Sequence, residues 1–181
     1  MKKRLKWIIT GYEIVSEKGF KGINVELLAN RMSSSKSSFY HYFGNIEEFK
    51  TELFNHHQQK AEELSQKIKE SKSLIPDLVN IFIHDRVDIL FHKQIRIYRE
   101  DKVFRECFEK AYEIIEHSIL EKWINHLKLQ NRPLFAKSLL SLVSDNFLLR
   151  ITNQNFNHSW LEDYIKELSY LVNQMKSSDK S

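Results

Sequence analysis

Apolar positions recur at helical spacing from the start of the chain. Leu5, Ile8, Tyr12 and Val15 lie three or four apart and are followed by Lys18-Gly19, a basic last turn and a glycine stop, which predicts a first helix. Asn24 can cap a second, in which Val25, Leu28, Ala29 and Met32 form one apolar face. The stretch SSSKSSFYHYFGN, Ser33 to Asn45, is either a serine-rich linker or a third helix. Phe39 and Phe43, four apart, favour the helix, because a linker has no use for two phenylalanines on one face. Ser33, Ser34 or Ser35 can cap it, Gly44-Asn45 ends it, and Asn45 with Glu48 forms a capping-box-like start for the next helix.

Beyond this point, breaks fall at Ser71 to Ser73 before Pro76, at Arg99 to Lys102, at Gln130 to Pro133 and at Thr152 to His158. They predict helices over 46–70, 74–98, 103–129, 133–151 and 158–176, with a frayed tail at 177–181. In the 74–98 segment apolar residues wrap most of the circumference and leave a polar stripe of Asp77, Asn80, His84, Asp88 and His92, so this helix is expected to be mostly buried, with the stripe in solvent. The expected fold is all-α: an N-terminal helix-turn-helix three-helix domain followed by a C-terminal helical bundle.

Composition supports this reading. All four glycines fall within the first 44 residues, so hairpins and bulges are not expected in the remainder. Hydrophobic residues at 41% and charged residues at 29% read as a soluble globular protein. Charge divides unevenly: residues 1–50 hold nine Lys or Arg against five Asp or Glu, and the rest of the chain holds nineteen of each, so the net +4 sits in the head. Such a head suits a polyanionic partner, although scattered surface lysines give the same count. The one cysteine, Cys107, cannot form an intramolecular disulfide, and the basic opening MKKRLKWIITGYE has no small-residue cleavage site after it. No stretch approaches bilayer length. A cytoplasmic protein without membrane partners is expected.

Enzyme chemistry finds little support. There is no phosphate-cradling glycine loop, nucleophile elbow, paired-cysteine metal site or H-E-x-x-H motif. His84, Asp88 and His92 have a spacing that can hold a metal, but they share a stripe with Asp77 and Asn80, and a solvated face is the simpler reading. His56 and His57 are adjacent and point apart on a helix. No metal and no cofactor is expected.

Two short helices joined by a three-residue turn, the second opening on small and basic residues, form a helix-turn-helix pattern. Small side chains let a helix backbone approach the major groove, Lys36 can meet a phosphate or a guanine edge, and tyrosine hydroxyls can donate to phosphates. A helical turn inside any α-bundle has the same pattern, so spacing leaves both readings open.

The run from Ile8 to Phe49 resembles the DNA-binding head of the TetR family of bacterial transcriptional regulators. Its EKGF at the end of the first helix, NVELLANRM, and SKSSFYHYFGNIEEF match that family's ordered motifs. The resemblance implies that Asn24, Ser35, Lys36, Ser37, Ser38, Tyr40, His41, Tyr42 and Lys50 contact double-stranded DNA. Two departures stand out: Ser33-Ser34 occupies the place of the family's glycine and valine, and Ile46 that of a phosphate-binding lysine. By the same resemblance residues 1–45 are the DNA-binding domain and 46–176 bind an effector and dimerise. Phe54, Phe91, Arg96, Tyr98, Phe108, Tyr112, Asn146, Phe147 and Arg150 are candidates to line the effector site. Leu140, Val143, Phe147, Leu161, Tyr164, Leu168, Leu171 and Met175 follow helical spacing and either close the monomer's own bundle or form a homodimer on a pseudo-palindromic operator. The implied activity is that of a repressor released by a small apolar or amphipathic molecule, leaving activation open. The alternative is a helical interaction protein, or an effector-independent DNA-binding module, on the same fold.

Overall fold

The structure, a computed structural model, describes residues 2–178. Among them no strand occurs. The elements are α1 (Lys2–Lys18), a 3-10 turn (Phe20–Gly22), α2 (Val25–Arg31), α3 (Lys36–Phe43), α4 (Ile46–Glu70), an irregular turn (Leu74–Leu78), α5 (Val79–His84), α6 (Arg86–Ile97), α7 (Lys102–His126), α8 (Pro133–Arg150) and α9 (His158–Ser178). The chain packs as two units, Met1–Glu62 with Val87–Tyr112, and Glu63–Arg86 with Glu113–Ser181. Both α4 and α7 contribute a segment to each. From residue 179 onward the expected frayed tail lies outside the described residues, whereas 177 and 178 end α9.

The first unit is built on Trp7, Ile14, Val15, Leu28, Phe39, Phe49, Leu53, Phe91 and Ile95, all essentially without exposure. Phe39 and Phe43 face this core as their spacing predicts, with Phe49 edge-on to both at 5.2 and 4.8 Å between ring centres. Gly11 makes this possible, because a Cβ there would lie 2.4 Å from Phe49 Cζ.

A chain of buried polar groups also crosses this unit. Tyr12 Oη lies 2.8 Å from His57 Nδ1, and His57 Nε2 lies 3.0 Å from His92 Nδ1. Tyr12 stacks on Phe91 at 3.9 Å and His92 on Phe108 at 4.5 Å, so rings seal the hydrogen bonds from water. Burial, with added repulsion from His92 and His56, pushes the His57 pKa well below 6.5. Burial and then Arg96 lower that of His92 to about 3. This overturns the expectation that His92 lies on a solvated stripe: it is 5% exposed and pairs with His57. The stripe marked a face of the helix but could not show that a histidine of α4 lay against it.

In the second unit Leu64, Ile68, Leu78, Val79, Trp123, Ala136, Leu140, Ile151, Phe156 and Leu161 form the core. The Trp123 indole N–H donates to the Ala136 carbonyl at 3.0 Å. The helix expected over 74–98 is not continuous here. It begins as the irregular turn and breaks at Asp85, whose φ of −94° and ψ of 29° leave the helical region. Asp85 is buried, and its carboxylate accepts from Lys67 Nζ at 2.7 and 2.6 Å. A buried carboxylate has to be paired, and this pairing accompanies the break. The 103–129 helix ends earlier than expected, at His126. Lys128 then takes a φ of 53°, with Leu129 N–H donating to Ile124 O at 2.9 Å. This C-terminal stop is built without glycine.

Candidate nucleic-acid interface

The helix pair α2–α3 is held by its own side chains. Asn24 Oδ1 accepts from the Leu27 N–H at 2.8 Å, and Ser35 Oγ accepts from the Ser38 N–H at 3.1 Å, so each helix starts on a side-chain cap. Between them Ser33 N–H donates to Asn30 O and Ser34 N–H to Ala29 O, the double bond of a Schellman turn, with Ser33 at a φ of 47°. The turn therefore keeps the left-handed residue that a glycine would supply, at a cost of about 1 kcal/mol or less. Asn45 and Glu48 form the expected reciprocal start of α4: Glu48 N–H donates to Asn45 Oδ1 at 2.9 Å and the Asn45 amide to Glu48 Oε1 at 2.8 Å.

With Phe39 and Phe43 buried, α3 turns Lys36, Ser37, Tyr40 and His41 to solvent, and Tyr40 is 51% exposed. Ser38 and Tyr42 are half-buried at the edges of that face. Asn24 and Ser35 use an oxygen lone pair on the caps and keep donors available, Nδ2 and the hydroxyl hydrogen. Lys50 lies one turn into α4, half-buried, with its Nζ on Glu47 at 2.8 Å. Eight of the nine DNA candidates thus lie on α3 and the capped turns flanking α2, and the ninth on α4.

Three charged contacts escaped the sequence reading. Lys36 Nζ lies 3.0 Å from Glu26 Oε2, Arg31 meets Glu17 at 2.9 Å, and Arg4 meets Glu52 at 3.0 Å while its guanidinium sits 5.2 Å above the Phe43 ring. Each pair joins two helices across ten or more residues, where local spacing carries no signal.

The effector candidates divide between the units. Phe54, Phe91, Arg96, Tyr98, Phe108 and Tyr112 belong to the first. There Phe54 and Tyr98 join Phe20 and Phe104 in one aromatic cluster, and Tyr112 stacks on Phe108 at 5.9 Å. Asn146, Phe147 and Arg150 belong to the second, around Tyr164. The Tyr164 hydroxyl donates to Val143 O and lies 3.1 Å from Asn146 Oδ1, while Arg150 covers the Tyr164 ring at 5.2 Å. Burial, partly offset by Arg150, raises the Tyr164 pKa to about 12.

Of the dimer candidates, Leu140, Phe147, Leu161 and Tyr164 are buried within the second unit, and Val143 and Leu168 are half-buried. Leu171 and Met175 are more than half exposed, as are Leu142 and Leu149 on α8. No helix among the described residues is long and apolar enough to cross a membrane.

Residues 10–55 match the model of bacterial regulatory proteins of the tetR family. No curated protein matches the chain. Among solved structures, a TetR/AcrR-family transcriptional regulator from Aquifex aeolicus VF5 has a TM-score of 0.63 at 17% identity, covering 93% of this chain and 98% of that one. A protein from Streptomyces coelicolor A3(2) described as a transcriptional regulator gives 0.58 at 13% identity, covering 92% and 98%. One from Mesorhizobium loti MAFF303099, described as a TetR-family transcriptional regulator, gives 0.58 at 16% identity over 96% of each chain. Residues 10–55 thus match the tetR-family head by sequence, and at 13 to 17% identity the likeness to these solved structures shows that the chain shares their fold.

Proposed function

We propose that this protein binds an operator as a homodimer through α2 and α3 and acts as a transcriptional repressor, released when a small apolar or amphipathic molecule binds its helical body. The observation that carries the reading is the capped α3, whose buried Phe39 and Phe43 hold Lys36, Ser37, Tyr40 and His41 outward as one polar face. A helix fixed in this way, carrying donors and acceptors beside small side chains, suits a major groove. Residues 1–45 serve as the DNA-binding domain and 46–176 as the effector and dimer domain. The protein works by binding rather than turnover, in the cytoplasm.

The exposed Leu142 and Leu149 of α8, with Leu171 and Met175 of α9, are apolar area that a second copy of the chain can cover. Phe54 and Tyr98, clustered with Phe104 and packed against Phe20 of the head, offer the chemistry an apolar effector needs. Release then requires the effector to lower operator affinity through a coupling of about 1 to 3 kcal/mol.

Selection of bound duplexes from a random pool tests this. The expected product is a pseudo-palindrome with half-sites about one helical turn, roughly 34 Å, apart. Lys36→Ala should weaken its recovery. A pool that stays random after selection would overturn the reading.

A further inference from the structure

We propose that Glu26 is a specificity-determining residue of this DNA reader, holding Lys36 for base contact and away from phosphate. The inference rests on the DNA-binding reading above. Between Asn24 and Phe43 the chain has three side chains of the Asp, Glu, Lys and Arg types: Glu26, Arg31 and Lys36. Both cations are engaged, Arg31 with Glu17 at 2.9 Å and Lys36 with Glu26 at 3.0 Å. The helix-turn-helix surface is therefore nearly neutral, although the head around it is basic, and its contacts come from hydroxyl, amide, imidazole and phenol groups.

The backbones that carry Glu26 and Lys36 are held on both sides of the turn. Glu26 stands in the first turn of α2, capped by Asn24, and Lys36 is the first residue of α3, capped by Ser35. The Schellman turn fixes the two helices in between. Caps and turn hold the two backbones at this separation, while the side chains remain 57% and 69% exposed and open to a ligand.

A carboxylate in that position does two things. It repels phosphate oxygens, which lowers the sequence-independent affinity that every duplex shares. It also occupies Lys36, so that the ammonium gains by turning to DNA where a guanine edge accepts it, while Glu26 itself can accept from a cytosine amino group. Discrimination increases because the non-specific complex is disfavoured more than the specific one.

The test is Glu26→Gln, neutral and of the same shape, compared with the natural protein by fluorescence anisotropy on the selected duplex and on a scrambled one over a salt series. Thermal melting serves as the folding control: losing one exposed carboxylate from the first turn of α2 should lower the midpoint by no more than a few degrees. With Lys36 released to phosphate, the variant should bind the scrambled duplex several-fold more tightly, with a salt slope steeper by about one, and its preference for the selected duplex should fall. Unchanged scrambled affinity and slope would overturn the role of Glu26, provided the natural protein still prefers the selected duplex. If the natural protein itself shows no preference, the DNA-reading assignment fails, and this inference with it.

Discussion

The buried Tyr12–His57–His92 chain should make the protein acid-sensitive in a window well above that of its carboxylates. Both imidazoles are held neutral by burial, His57 well below 6.5 and His92 at about 3. Because the folded values lie below the unfolded one, the unfolded chain binds more protons between them, so stability rises with pH there. The contribution is complete above about 6.5 and is lost as pH falls toward the folded values. Relative to pH 7, proton uptake on unfolding at pH 5 removes about 2 kcal/mol through His92, and His57 adds a loss of the same sign. Urea titrations at half-unit steps from pH 7 to 5, followed by far-ultraviolet circular dichroism, measure this on the natural chain and on His92→Gln. The variant starts less stable, since it leaves His57 without its imidazole partner, but its pH dependence should be about 2 kcal/mol shallower. Carboxylates titrate equally in both and cancel in the comparison. If the two proteins show the same pH dependence, His92 is not held neutral in the folded state and the buried chain is misread.

Three further perturbations test the packing. Gly11→Ala places a Cβ 2.4 Å from the fully buried Phe49 ring, and should destabilise the chain by about 1 to 3 kcal/mol in chemical denaturation. Ser33→Gly relieves a left-handed serine at a φ of 47°, and should raise stability by up to about 1 kcal/mol. Lys67→Met leaves the buried Asp85 carboxylate without its ammonium and should destabilise by about 1 to 3 kcal/mol, a smaller effect than a fully buried pair would give because Lys67 is 43% exposed.

Much of the head was legible because its signals are local. Asn24 and Ser35 cap within three residues, Asn45 and Glu48 pair within three, and Phe39 and Phe43 share a face by spacing alone. What escaped was decided at a distance. The break at Asp85 goes with Lys67, eighteen residues earlier on another helix, and the burial of His92 with His57, thirty-five residues away. Lys36 was legible as a candidate contact, but its partner Glu26 was not, since no periodicity links the start of α2 to the start of α3. The stop at Lys128 was misplaced for a different reason: the helix ends there in a left-handed residue that is not glycine.

The central claim is that residues 24–43 read DNA sequence. Fluorescence anisotropy of the purified protein on the selected duplex and on its scramble, across a salt series, tests it most directly. Binding at least about a thousandfold tighter to the selected duplex, with log affinity falling linearly in log salt, is the expected result. Equal and weak binding to both duplexes at every salt concentration would contradict it.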